Sequence, residues 1–192
     1  MLDCLKTIQI AISNGDEQAF AKLYQQFHKR LWSFCKSIIR SSESAEEIVE
    51  DVFVKLWCNR ANLVNIEDLT VYLYVAVKNR ALNTLSKKAQ ELVTSPFDFL
   101  EIELDGNVTP YDVLINAEMV GCMRKAIDEL PPRCKMIFKL IREDGLKYKE
   151  VADILNISVN TIDAQMAIAV KRICLALKIP KPQLVFVPQK KS

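Results

Sequence analysis

The chain has 192 residues, half of them hydrophobic, with four Gly, six Cys, one His and a formal net charge of +2. Scarce Gly beside abundant Leu, Ile, Ala, Lys and Glu points to an all-α protein with enough apolar residues for one or two small cores. No apolar run reaches the ~18 residues of a membrane span and MLDCLKTIQ has no signal-peptide pattern, so a cytoplasmic protein without membrane insertion is expected.

In chain order, a short helix is expected from about Leu5 to Ser13, ending near Asn14-Gly15. Asp16 then caps a long helix whose apolar stripe runs Phe20, Leu23, Tyr24, Phe27, Leu31, Phe34, Cys35, Ile38. Ser41-Ser42 breaks it. The next helix, about Ser44 to Arg60, has an apolar face of Ile48, Val52, Phe53 and Leu56. A polar loop, Asn62 to Asn65, leads into a helix from about Glu67 to Gln90. From Thr94 to Pro110 the period stops, and Pro96, Gly106 and Pro110 punctuate an acidic linker or arm. A second domain follows: one helix to Glu129, another begun by Pro131-Pro132, then two more. The expected divisions are residues 1–91, a linker over 92–111, 112–178, and a mobile basic tail over 179–192.

Charge alternates in blocks. Residues 41–69 carry Glu43, Glu46, Glu47, Glu50, Asp51, Glu67 and Asp68 against Lys55 and Arg60, and residues 71–90 hold Lys78, Arg80, Lys87 and Lys88 with no acid. Residues 91–120 have acids and no base, and the remainder is rich in bases. Such blocks suit a protein that touches nucleic acid with some parts and a basic protein surface with others.

The stretch LKYKEVADILNISVNTIDAQMAIAVKRICLALK reads as helix, tight turn, helix. Apolar residues keep helical spacing in both halves; Asn156 tolerates the left-handed turn conformation and Ser158 is a good N-cap. This is a helix-turn-helix, whose second helix lies in the DNA major groove, so DNA is the leading partner. The cysteines are widely spread, with no C-x-x-C pair and only His28 beside them, so neither a metal nor any other cofactor is expected. Most fall on apolar helix faces and read as buried thiols; Cys174, near the DNA face, is the redox-sensitive candidate.

Four separated segments, in order, resemble the sigma-70 family of transcription initiation factors, and in particular its compact extracytoplasmic-function group. AFAKLYQQFHKRLWSFCKSII resembles the family's first conserved helix, SAEEIVEDVFVKLW its polymerase-binding helix and VYLYVAVKNRALNTLSKK its promoter-melting helix. AIDELPPRCKMIFKLIREDGLKYKEVADILNISVNTIDAQ resembles its upstream-element reader. The resemblance covers about residues 16–177 and implies core RNA polymerase and promoter DNA as partners, together with an anti-sigma factor. It assigns polymerase binding to Glu46, Glu47, Glu50, Asp51, Phe53 and Trp57, with Glu50 where the family usually has Gln.

By the same resemblance, the loop Asn59 to Asn65 captures a base extruded from the non-template strand, with Asn62 and Asn65 as hydrogen-bonding amides. Asn79, Arg80, Asn83, Thr84, Lys87 and Lys88 recur at spacings of three and four as one polar stripe, with cations for phosphates and amides for base edges at the −10 element. At the −35 element, Gln165 suits adenine and Thr161 a phosphate or thymine methyl; Arg133, Lys147, Lys149, Lys171 and Arg172 anchor the backbone. Ala164 and Ile168 stand where the family more often has a polar and a basic residue.

Two other readings compete. A helix-turn-helix regulator with an N-terminal dimerisation or sensing domain would bind a palindrome as a dimer without polymerase. An enzyme is disfavoured: there is no G-x-S-x-G, no phosphate-binding Gly loop and no metal-spaced ligand set.

Overall fold

The computed structural model describes residues 2–88 and 117–177, and these are helical with no strand among them. The elements are α1 (Leu2–Ser13), α2 (Glu17–Ile39), α3 (Ser42–Cys58), a 3₁₀ turn (Arg60–Asn65), α4 (Leu69–Lys88), α5 (Ala117–Asp128), α6 (Pro132–Arg142), α7 (Tyr148–Leu155) and α8 (Val159–Ala176). The expected linker over 92–111 and tail over 179–192 lie outside the described residues.

Local chemistry sets the boundaries. Asp16 Oδ1 accepts from the backbone N–H of Gln18 at 2.8 Å and of Ala19 at 3.0 Å, which starts α2. Arg40 ends it in the left-handed region at φ 60°. Ser41 then caps α3 through Ser44 N–H, so that helix starts at Ser42 and stops at Cys58, two residues earlier at each end than its apolar period indicated. The polar loop is a 3₁₀ turn, and Asp68 Oδ1 takes Val71 N–H at 3.0 Å to open α4. In the second half, Pro132 is the first residue of α6, where its missing N–H costs nothing. Asn156, at φ 54°, closes α7, and Ser158 Oγ accepts Thr161 N–H at 3.1 Å to start α8.

Helix α2 packs against α1, α3 and α4, while α8 packs against α5, α6 and α7. The buried side chains of the two halves form one continuous apolar cluster, joined where α4 meets α7. Polar contacts cross the same junction. Tyr74 Oη donates to Asp144 Oδ2 at 2.8 Å, Lys78 Nζ to the Ile154 carbonyl at 2.8 Å, Arg30 Nη1 to the Asp144 carbonyl at 3.3 Å, and Lys139 Nζ to Ser33 Oγ. The linear sequence, in which the two halves appear as separate domains, gives no sign of this docking. The cysteines also need a correction: Cys35 and Cys134 are buried, but Cys58 and Cys122 are exposed, because each lies on the solvent side of its helix. Cys174 is half-buried.

Candidate polymerase and nucleic-acid interfaces

Helix α3 turns Ile48, Val49, Val52 and Leu56 inward and leaves its acids outside. Glu47 and Glu50 are exposed, whereas Glu46 and Asp51 are half-buried and each has a cationic or imidazole partner. Glu46 Oε1 lies 2.9 Å from His28 Nε2, and Asp51 Oδ2 accepts from Arg80 Nη2 at 2.7 Å. An aromatic strip joins α2 to this face: Phe20 meets Trp57 at 4.9 Å between centroids, Tyr24 meets Phe53 at 4.9 Å, and Tyr24 stacks on His28 at 4.7 Å. Burial, then Glu46 and Glu50, raise the Tyr24 phenol above its ordinary range.

The structure corrects the place of Phe53. It is only 2% exposed, closed over by Phe20 and Tyr24, so it shapes this surface from below and has no face to offer a partner. Trp57, one turn on, is half-buried and lies under the Arg60 guanidinium at 4.7 Å, in cation–π range. Tyr24 and His28 belong to the same surface. In the linear sequence Tyr24 falls in the apolar stripe of α2, and the separation of 18 positions from His28 to Glu46 conceals their contact.

The 3₁₀ turn buries Leu63 and exposes Ala61, Asn62, Val64 and Asn65. With three residues per turn, Asn62 and Asn65 eclipse and form one ridge, a closer pairing than an irregular loop guarantees. On α4, Asn79, Arg80 and Asn83 are exposed and Thr84 is half-buried, its hydroxyl donating to the Arg80 carbonyl at 3.0 Å. The side chains of Lys87 and Lys88 lie outside the described set. Tyr72, 42% exposed, stands seven residues before Asn79 and so on the same side of the helix. It adds an aromatic face on which an unpaired base can stack. The sequence signal for it was the spacing of Tyr72, Asn79 and Asn83.

In the helix-turn-helix, Asn160, Asp163, Ala164, Ile168, Lys171 and Arg172 of α8 are exposed, as are Arg133 in the first turn of α6 and Lys147 and Lys149 at the start of α7. Gln165 and Thr161 are half-buried. The Thr161 hydroxyl lies 2.8 Å from Ser158 Oγ and is engaged in the cap of its own helix. A phosphate bond from the Thr161 hydroxyl would share that group with Ser158, while its methyl stays available to a thymine methyl. Ile168, 41% exposed, lies among the outward bases Lys171 and Arg172. Among the described residues no group of three His, Cys, Asp or Glu is placed to hold a metal, and no helix is long and apolar enough to cross a membrane.

Two family models match: "Sigma-70 region 2" over residues 23–91 and "Sigma-70, region 4" over residues 121–173. Among curated relatives, the chain is 22% identical to the ECF RNA polymerase sigma factor SigW of Bacillus subtilis, covering 81% of this chain and 87% of SigW. It is 25% identical to SigK of Mycolicibacterium vanbaalenii, covering 86% of each, and 23% identical to the sigma-E factor of Escherichia coli K12, covering 81% and 84%. The fold resembles that of CnrH, solved in complex with the cytosolic domain of CnrY (TM-score 0.55, 13% identity, 90% of this chain and 96% of that one). It also resembles RpoE of Bartonella quintana, solved in complex with the anti-sigma factor NepR (TM-score 0.55, 22% identity, 83% and 97%). With region 2 carrying the acidic helix and the asparagine ridge, and region 4 the helix-turn-helix, this chain belongs to the sigma-70 family as an extracytoplasmic-function RNA polymerase sigma factor.

Proposed function

We propose a division of labour within this sigma factor, acting in the cytoplasm. A region 2 domain over residues 1–91 binds core polymerase through Glu46, Glu47, Glu50, Asp51 and Trp57, supported from below by Phe53. The same domain reads and melts the −10 element with Asn62, Asn65, Asn79, Arg80, Asn83, Lys87 and Lys88. A region 4 domain over residues 112–178 binds the −35 element, with Gln165 on base edges and Arg133, Lys147, Lys149, Lys171 and Arg172 on phosphates. The observation that carries this reading is adjacency: the acidic face of α3 borders the amide- and cation-bearing face of α4 at the Asp51–Arg80 pair. One surface suits a basic protein and the other a nucleic acid. The chain supplies positioning and electrostatics and no catalytic group of its own.

An anti-sigma factor is the further partner we infer; the similar RpoE was solved holding one. The regulator reading keeps no observation in its favour. Run-off transcription with core polymerase, followed by mapping of the 5′ ends, tests the assignment. Promoter-specific starts that depend on this chain are expected, and DNA binding as a free dimer with no effect on transcription would refute it.

A further inference from the structure

Gln9 is 3% exposed on α1, a helix that lies before the residues matched by the region 2 model. A buried amide is costly unless its protons find acceptors. Gln9 Nε2 has two protons and two acceptors: it donates to the Leu63 carbonyl and, at 2.7 Å, to the Ile66 carbonyl. Leu63 belongs to the 3₁₀ turn and Ile66 closes it; the Leu63 carbonyl also accepts the Ile66 N–H at 3.0 Å, so Gln9 adds a second bond to that carbonyl and takes the Ile66 carbonyl just beyond. The turn needs such help. A 3₁₀ turn has poor hydrogen-bond geometry, and here only Leu63 of its six residues is buried. Most of its hold on the protein is α1, which packs along it.

We propose that Gln9 is a positioning residue for promoter reading: it fixes the turn 60–65 in the shape from which Asn62 and Asn65 present one ridge to DNA. This rests on the proposed reading of that turn as the base-capturing loop. The geometry behind it is simple. Leu63 is held from two directions, its side chain in the core and its carbonyl by Gln9, and it sits between the two asparagines. Without Gln9 the Leu63 carbonyl is held by the Ile66 N–H alone, so the turn unwinds more readily about Leu63, and unwinding separates Asn62 from Asn65. Base preference then falls even if phosphate contacts along α4 persist. A Gln9 that served stability alone would lower the melting temperature and leave the preference of the folded protein unaltered.

The test uses the full chain with core polymerase and a promoter library randomised over the −10 element. Gln9→Met keeps the length of the side chain and removes both donors; Gln9→Asn, one methylene short of the carbonyls, replaces it if the Met variant does not fold. Either is expected to lose discrimination about fivefold to tenfold at the base read by the turn, the scale set by one or two hydrogen bonds. The −35 preference should stay as in wild type, and the Ile66 amide, which donates to the Leu63 carbonyl, should exchange with solvent about tenfold faster. Wild-type preference at that base in the folded variant overturns the proposal, whatever the exchange shows. Asn62→Ala with Asn65→Ala is the separate control for the loop reading. If that pair leaves the −10 preference intact, the reading itself fails and the proposal with it. If the pair relaxes preference and the Gln9 variants do not, the reading stands and only the role of Gln9 is lost.

Discussion

Tyr74 Oη donates to Asp144 Oδ2 at 2.8 Å across the junction between the two halves of the molecule, and both residues are buried. Burial holds the Asp144 carboxyl above its ordinary range, although the Tyr74 hydrogen bond, Lys139 and Arg30 pull it back. Burial, then Asp144, push the Tyr74 phenol up as well. Inside a low-dielectric junction such a bond is cheap to keep and expensive to break by halves, since the partner left behind stays buried.

Tyr74→Phe removes the donor and leaves the carboxylate in place. We expect a loss of about 1–3 kcal/mol in the free energy of unfolding, the desolvation cost of an orphaned buried acceptor. Equilibrium denaturation in urea measures it. A change within a few tenths of a kcal/mol would show that the halves do not depend on this contact.

The pH dependence has a definite sign. Asp144 has a raised value in the folded protein, so its contribution is fully present below the unfolded carboxylate value of about 3.9 and is lost as pH rises through the raised one. Relative to Asp144→Asn, which removes the titration, the wild type should therefore gain stability as pH falls from neutrality through the shifted range. Unfolding midpoints of the two proteins, compared from pH 7 to 4, test this. A constant difference between them contradicts it.

Asp51 and Arg80 are each about two-fifths exposed, so their 2.7 Å ion pair should contribute little to stability, about 1 kcal/mol or less in a double-mutant cycle. Function should respond more strongly. Arg80→Ala is expected to impair strand opening, read by permanganate reactivity, more than initial duplex binding. Charge reversal at Glu47 with Asp51 should weaken core polymerase binding while helicity is retained. Undiminished opening in the first variant would return α4 to an ordinary solvated face.

Phe53 and Trp57 lie one turn apart and should behave oppositely. Phe53→Ala opens a cavity beneath Phe20 and Tyr24 and is expected to cost about 3–5 kcal/mol of stability. Trp57→Ala should cost less stability and weaken binding to core polymerase, measured by co-purification at moderate salt. The assignment fails if Trp57→Ala binds polymerase as the wild type does.

On α8, Thr161 is engaged with Ser158, which leaves Gln165 as the main polar reader. Gln165→Ala should relax preference at one upstream base pair by about 1–3 kcal/mol, whereas Lys171→Ala or Arg172→Ala should weaken all promoters alike. Transcription of a promoter library distinguishes these outcomes. An upstream preference unchanged in Gln165→Ala would leave backbone anchoring and DNA shape as the means of recognition.

Much of the architecture was legible in the linear sequence because it is local. The apolar period marked the helices, Asp16 and Ser158 marked where two of them start, and Asn156 marked a left-handed turn; each of these depends on neighbours within about four residues. The order and spacing of four such segments were enough to suggest the family. What the sequence left open was which polar side chain meets which. Gln9 finds its acceptors 54 and 57 residues away, Arg80 its carboxylate 29 away and Tyr74 its partner 70 away. Helical period assigns a residue to a face and says nothing of what covers that face, so Phe53 and Trp57 read alike until Phe20 and Tyr24 closed over one of them. Likewise, a buried Gln or Asp has the same letters as a solvated one. Only the packing of α1 on the 3₁₀ turn and of α4 on α7 removed them from water and made their hydrogen bonds obligatory.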